Sequence, residues 1–251
     1  MPLMRWRKRS GPVPSGSPTA VDPLFVAYPE LSQEIDRLCE LPPWQMTGTS
    51  ALVVSPEGMV LELTKPKHWE RRADGVTVVG VGAIGGSLEA GETLLDCLQR
   101  EAREELGTPL QIVSARETAI VYERDRVVRT GASDRPSAGH PLPALMTVSE
   151  NLYRPELGPD ARTLAIATFW ARIDHEPRLG DLFGMLVLPM GQAESVLMDL
   201  PLAIEEVQAV PGARLITRAP LPMRAVLEPV WTAHSARRVL QEGSLPGMAA
   251  E

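Results

Sequence analysis

Between residues 100 and 105 the chain reads Arg-Glu-Ala-Arg-Glu-Glu. If this stretch is helical, Glu101 and Glu105 stand four residues apart and Glu101 and Glu104 three apart, so the three carboxylates share one side. Like charges at that spacing repel one another and cost stability. Two readings follow from spacing alone. The residues are a solvated acidic face, with Arg100 pairing Glu104 one turn on, or they are an oxygen platform whose repulsion a hard cation relieves. Mg²⁺ takes oxygen ligands and keeps waters and substrate phosphates in its shell, so the second reading points to phosphate chemistry.

The surrounding segment, GGSLEAGETLLDCLQREAREELGT from Gly85 to Thr108, supports a loop leading into a helix. Glycines at 85 and 86 close an apolar, β-branched run and permit close backbone approach to a neighbour. Residues 91–106 carry Leu94, Leu95, Leu98, Ala102 and Leu106 along one apolar side, with the acidic residues opposite.

In full, this segment resembles the Nudix hydrolases, whose shared pattern is G-x5-E-x7-R-E-U-x-E-E-x-G-U, U being a bulky apolar residue. The chain supplies Gly86, five residues, Glu92, seven residues, then Arg100, Glu101, Ala102, Arg103, Glu104, Glu105, Leu106, Gly107 and Thr108. Every Gly, Glu and Arg of the pattern is present. Ala102 and Thr108 depart at packing positions, which bears on fit and not on chemistry.

The resemblance implies a metal-dependent hydrolase cutting a diphosphate linkage in a nucleoside diphosphate joined to another moiety. It implies Mg²⁺ or Mn²⁺ as cofactor, with Glu101, Glu104 and Glu105 as metal carboxylates and the Gly85 carbonyl as a further ligand. Arg100 takes the place of the arginine that orients the glutamates, so the catalytic set is Arg100, Glu101, Glu104 and Glu105, with Glu92 supporting the loop. Bound cations screen the diphosphate charge and lower the pKa of a bound water, and a carboxylate accepts its proton. That base is a helix glutamate or a glutamate of a later loop, where Glu150 and Glu156 are candidates. The competing class is a Nudix-type fold that senses nucleotides or binds proteins without turnover. The retained glutamate set argues against it.

The elements that must hold this helix can be read around it. SALVVSPEGMVLELTK is two apolar runs about Pro56-Glu57-Gly58, a hairpin signal. Residues 76–84 read as a third strand, and strand character returns in 110–123, in PALMTVSENLY, in RTLAIATFWARI and in 185–189. Residues 127–142 read as a long loop. GQAESVLMDL and EPVWTAHSARRVLQE read as helices. The order predicts an α/β protein with a mixed sheet between helices, and the resemblance implies the Nudix-type α/β/α sandwich. Three regions are expected: a tail over 1–20 rich in Arg, Pro, Ser and Gly, a helical arm over 21–45 and the catalytic domain over 46–251. The arm and the 127–142 loop are the expected sources of specificity or of a homodimer contact.

Composition narrows the partners. The 251 residues carry a net charge of −7, which disfavours a general nucleic-acid binder. Aromatics are 4%, so aliphatic side chains must fill the core. No apolar run has the length of a membrane span, and the basic start lacks the apolar middle of a secretory signal. Cys39 and Cys97 have no paired spacing, which suits a reducing cytoplasm. The partner expected is therefore a small nucleotide-like substrate, with no nucleic acid and no membrane.

Other reactive types read as structural. Cys97 lies among helix leucines and reads as a small buried side chain. His68, His140, His175 and His234 lack ligand spacing, and Trp44, Trp69, Trp170 and Tyr122 read as packing residues. Lys65, Lys67, Arg71 and Arg72 form a basic stretch that either steers an anion or lies on a solvated edge. The positions after the motif where some subfamilies carry a marker hold Glu123 to Arg126, so no substrate subfamily is indicated.

Overall fold

The computed structural model describes residues 22–39, 44–123, 125–131, 139–150 and 163–249. The tail expected over 1–20 and the loop containing Glu156 lie outside the described residues. Two short helices, α1 (Pro23–Ala27) and α2 (Pro29–Leu38), precede the long strand β1 (Trp44–Ser55). The chain continues through β2 (Gly58–Leu63), a single 3₁₀ turn at Pro66–His68, β3 (Glu70–Arg71), β4 (Thr77–Gly82) and β5 (Ile84–Ser87) to helix α3 (Leu94–Leu106). Strands β6 (Gln111–Val113), β7 (Thr118–Tyr122), β8 (Arg126–Thr130), β9 (Leu145–Glu150), β10 (Thr163–Arg172) and β11 (Gly184–Leu188) follow. The described chain closes with α4 (Met190–Asp199), β12 (Leu202–Ala203), α5 (Ile204–Gln208), β13 (Arg214–Thr217), β14 (Ala225–Pro229) and α6 (Trp231–Gln241).

The strands form one mixed sheet. Its main path runs β12-β14-β4-β2-β1-β10-β9-β7-β8. The pairs β1/β10, β4/β14 and β7/β9 are parallel, and the hairpin β1/β2 is antiparallel as its sequence predicts. Alternation along the strands sends side chains to two separate cores. Leu52, Leu61, Val121 and Leu186 meet α4, α5 and α6 on one face. Ala51, Val53, Val60, Ile120 and Val187 meet α1, α2 and α3 on the other. The chain is thus α/β, a mixed sheet between two helical layers.

Four expectations change in detail. The helical arm expected over 21–45 holds two short helices, because Pro29 disfavours the helical conformation for the residue before it, and Tyr28 sits at φ −134° and ψ 70°. Residues 76–84 do not form one strand. β4 leaves its partners β2 and β14 after Gly82, and β5 begins at Ile84 to pair with β1. Part of the stretch expected as a loop over 127–142 is strand β8, whose apolar Val127 and Val128 lie between polar ends and pair with β7. The closing helix starts only at Trp231, since Glu228 and Pro229 complete β14 alongside β4.

The arm is fastened to α3 by one carboxylate. Asp22 accepts from the Leu24 N–H at 2.9 Å and from the Leu94 N–H at 2.9 Å, so it caps two helix starts at once. Thr93 caps α3 as well, accepting from the Asp96 N–H at 3.2 Å. Asp22→Ala is expected to lower stability by about 1–2 kcal/mol, the size of a lost N-cap, whereas Asp22→Asn keeps most of it. Urea unfolding of the three proteins checks this.

Candidate active site

The acidic helix is not a solvated face. Glu101 and Glu105 are 1% and 2% exposed, whereas the Glu104 side chain is 48% exposed. Burying an ionised carboxylate is costly unless it is paired and hydrogen-bonded, and each has partners built from the glycine loop and from Arg100. Arg100 donates Nε to Glu92 Oε1 at 2.7 Å, Nη1 to Glu101 Oε1 at 2.8 Å, and Nη2 to the Ser87 carbonyl at 3.0 Å and to Glu92 Oε2 at 3.0 Å. The Arg100–Glu104 pair considered from the sequence is a secondary contact at 3.8 Å. Arg100 therefore organises the loop against the helix.

Two glycines let the strand come this close. Gly85 has φ +150°, a conformation that favours glycine, and its N–H donates to Glu105 Oε2 at 3.0 Å. At Gly86 the space a Cβ would fill is taken by the Glu101 carboxylate. The motif glycine is thus the cavity that seats a glutamate. Gly107, at φ +71°, ends α3 in the left-handed conformation.

Electrostatics reinforce the clamp. The Arg100 hydrogen bonds hold the Glu92 carboxyl below its usual range, and the same bonds hold Arg100 firmly charged. Burial pushes the Cys97 thiol up to about 12, so Cys97 stays a neutral packing group, as its leucine neighbours suggested.

The other residues singled out from the sequence fall into place around this centre. Glu150 ends β9, and Glu156 lies outside the described residues. Lys65 pairs with Asp181 at 3.1 Å, and Arg72 with Glu228 at 2.8 Å. Trp44 and Trp69 pack edge-on against Phe25 and Phe183, and Trp170 donates to the Pro246 carbonyl at 2.6 Å. His175 meets Thr108 Oγ1 at 3.1 Å, just past the end of α3. Sequence reasoning did not single out Thr49, Gly180 or Asp181. Thr49 lies opposite Gly86 across β1 and β5, and its buried hydroxyl has no hydrogen-bond partner among the described residues.

The donor set suits a hard divalent cation in kind: carboxylates and carbonyls, with the neighbouring Cys97 held as a neutral thiol. Among the described residues no group of three His, Cys, Asp or Glu side chains converges into a ready-made cage. Mg²⁺ does not require one, since it is held by one or two carboxylates together with water and substrate phosphates. The orphaned Thr49 hydroxyl, on the strand beside the glycine loop, marks the same place as one whose polar groups are not all satisfied from within.

Residues 45–140 match the family model of the NUDIX domain, a stretch that includes the clamp just described. Among solved structures the chain is similar to the ORF135 protein of E. coli, at 12% identity, covering 62% of this chain and 83% of that one with a TM-score of 0.34. The mutator MutT protein of Bacillus halodurans is 18% identical over 64% of this chain and 76% of its own, with a TM-score of 0.32. A NUDIX hydrolase from Nitrosomonas europaea is 14% identical over 81% and 93%, with a TM-score of 0.33. No curated protein sequence matches the chain. No helix among the described residues is long and apolar enough to cross a membrane, which leaves β-barrels unaddressed.

Two outcomes are expected from the clamp. Gly86→Ala overpacks the Glu101 seat and should cost roughly 1–3 kcal/mol in urea unfolding. The second concerns pH. The carboxyl of Glu92 is lowered from 4.5 in the folded chain, so the clamp contributes fully above that value and is lost as pH falls through the depressed one. Thermal midpoints followed from neutral pH down to about pH 3 should therefore fall more steeply in the native protein than in Glu92→Gln.

Proposed function

We propose that the chain is a Mg²⁺- or Mn²⁺-dependent pyrophosphohydrolase that cleaves the diphosphate linkage of a nucleoside diphosphate joined to another moiety. The observation that carries this reading is the pair of buried carboxylates, Glu101 and Glu105, seated by the glycine loop inside a complete NUDIX motif. A helix face that served only solvation would not bury two of its three glutamates.

Glu101, Glu104 and Glu105, with the Gly85 carbonyl, are the groups that would hold the cation. When bound, it supplies charge screening for the diphosphate and a water of lowered pKa. The chain's own groups do the rest. Arg100 and Glu92 fix the loop so that the carboxylates do not rearrange as substrate arrives. Glu104 is the helix carboxylate open to solvent, which supports it as the acceptor of the attacking water's proton. Glu150 and Glu156 are the alternative acceptors. The water oxygen bonds to one phosphorus as the bond to the bridging oxygen breaks, giving two phosphomonoesters. Both cysteines are free and buried, in keeping with work in a reducing cytoplasm.

The test is hydrolysis by the purified chain with Mg²⁺ or Mn²⁺ across ADP-ribose, nucleotide sugars, dinucleotides, dinucleoside polyphosphates and nucleoside triphosphates. Turnover of at least one compound is expected, with Glu105→Gln losing the metal-dependent part while unfolding at the native midpoint. Nucleotide binding without phosphate release across the panel would point instead to a sensing module, and native activity in Glu105→Gln would overturn the assignment of the site.

A further inference from the structure

An α-helix leaves its last carbonyls without partners of its own. At the end of α3 the Gly107 N–H covers the Arg103 carbonyl at 3.1 Å. The next two carbonyls belong to Glu104 and Glu105, and they are covered from far along the chain. The Asp181 N–H donates to the Glu104 carbonyl at 2.7 Å, and the Gly180 N–H donates to the Glu105 carbonyl at 2.7 Å. Both donors lie in the connection between β10 and β11.

The approach is close enough to demand glycine on steric grounds. A Cβ at Gly180 would overlap the Glu104 carbonyl oxygen and lie 2.7 Å from the Glu105 carbonyl carbon. The connection is in turn fastened to the sheet. Arg218, directly after β13, donates Nε to the Leu182 carbonyl at 2.8 Å and Nη2 to the Gly180 carbonyl, and its own N–H donates to the Phe183 carbonyl at 2.9 Å. Lys65, just past β2, holds the Asp181 carboxylate at 3.1 Å. Leu182 and Phe183 are buried in opposite cores. At the helix end, His175 meets Thr108.

We propose that residues 174–183 form a positioning strap that fixes the last turn of α3, and hence Glu104 and Glu105, with Gly180 as its contact point and Arg218 as its latch. The proposal rests on the reading of those glutamates as the cation-holding groups. Arg218 acts through the strap backbone and touches neither carboxylate in the contacts above. Its guanidinium serves two carbonyls of one turn, which a lysine ammonium on a flexible stem does less well. The strap joins two β-strands outside the motif, so it couples the sheet's far connections to the helix that the motif supplies.

The experiment is titration of Mn²⁺ alone, without nucleotide, followed by the loss of the free-ion electron paramagnetic resonance signal. It compares the native chain with Arg218→Ala, Arg218→Lys, Gly180→Ala, Glu105→Gln and Arg72→Ala. Arg72 is the control, a surface ion pair with Glu228 elsewhere on the sheet. Arg218→Ala and Gly180→Ala are expected to bind Mn²⁺ at least about tenfold more weakly, the usual effect of removing a group that orients a ligand. Arg218→Lys should fall between, and Arg72→Ala should match the native chain. Thermal midpoints establish that each variant is folded at the titration temperature, and Arg218→Lys carries the comparison if Arg218→Ala is not. Native Mn²⁺ affinity in the Arg218 and Gly180 variants, with binding lost in Glu105→Gln, overturns the strap alone. Unchanged binding in Glu105→Gln, or none in the native chain, overturns the site reading and the strap with it.

Discussion

A carboxylate that is 1% exposed must find its compensation within the protein, and the seating of Glu101 is the constraint from which the rest of this site follows. The seat exists only because residue 86 has no side chain. The compensation comes from Arg100, whose planar fork reaches Glu101, Glu92 and the Ser87 carbonyl together. Lysine would bring one ammonium and could not span three acceptors in fixed directions. Thus one arginine draws the glycine loop, the supporting glutamate and the helix into a single unit. The spacing of the motif records the distances this unit requires.

That unit depends on the sheet beneath it. β5 pairs with β1, and β1 pairs with β10 over ten register positions, so the glycine loop rests on the most extensively paired strands in the fold. Burial on both faces makes these strands apolar in consecutive positions and not in alternation, as Ala51, Leu52 and Val53 show. With few aromatics, small and branched aliphatics pack closely enough for α3 to lie against β1 and β5. The register of α3 over the sheet is then set at its start by Thr93 and Asp22, and at its other end by the donors of Gly180 and Asp181.

What was legible in the sequence was local. The helix, its apolar side, the hairpin about Pro56-Glu57-Gly58 and the run of motif residues all follow from spacings within a few turns of chain. The break at Tyr28 has a local signal in Pro29, while Leu31, Ile35 and Leu38 carry the buried side of the second helix alone. The unread parts depend on distant partners. Arg214–Thr217 has no striking alternation and becomes a strand because β11 offers it an edge. Asp22 looks like any residue of an arm until its second oxygen meets the Leu94 N–H. Gly180 sits in a connection with no local signal, and only the approach of the α3 end explains why it is glycine.

The placement of the glutamates at the end of α3 has an electrostatic sense of its own. The last turn of a helix carries partial negative charge on its carbonyls, so Glu104 and Glu105 sit where carboxylates are disfavoured by the helix itself. A protein selecting only for helix stability would put cations there. Two devices limit the cost without removing the field: Arg100 neutralises the neighbouring Glu101, and the two strap N–H groups satisfy the carbonyls beneath Glu104 and Glu105. The side-chain carboxylate of Glu104 is left facing solvent with the helix end behind it. Such an arrangement concentrates negative potential at one open position, which weakens the helix and strengthens the attraction for a divalent cation. Stability given up at the helix end is therefore the same physical quantity that would hold the metal, and the arm, the clamp and the strap are the parts of the fold that make this sacrifice tolerable.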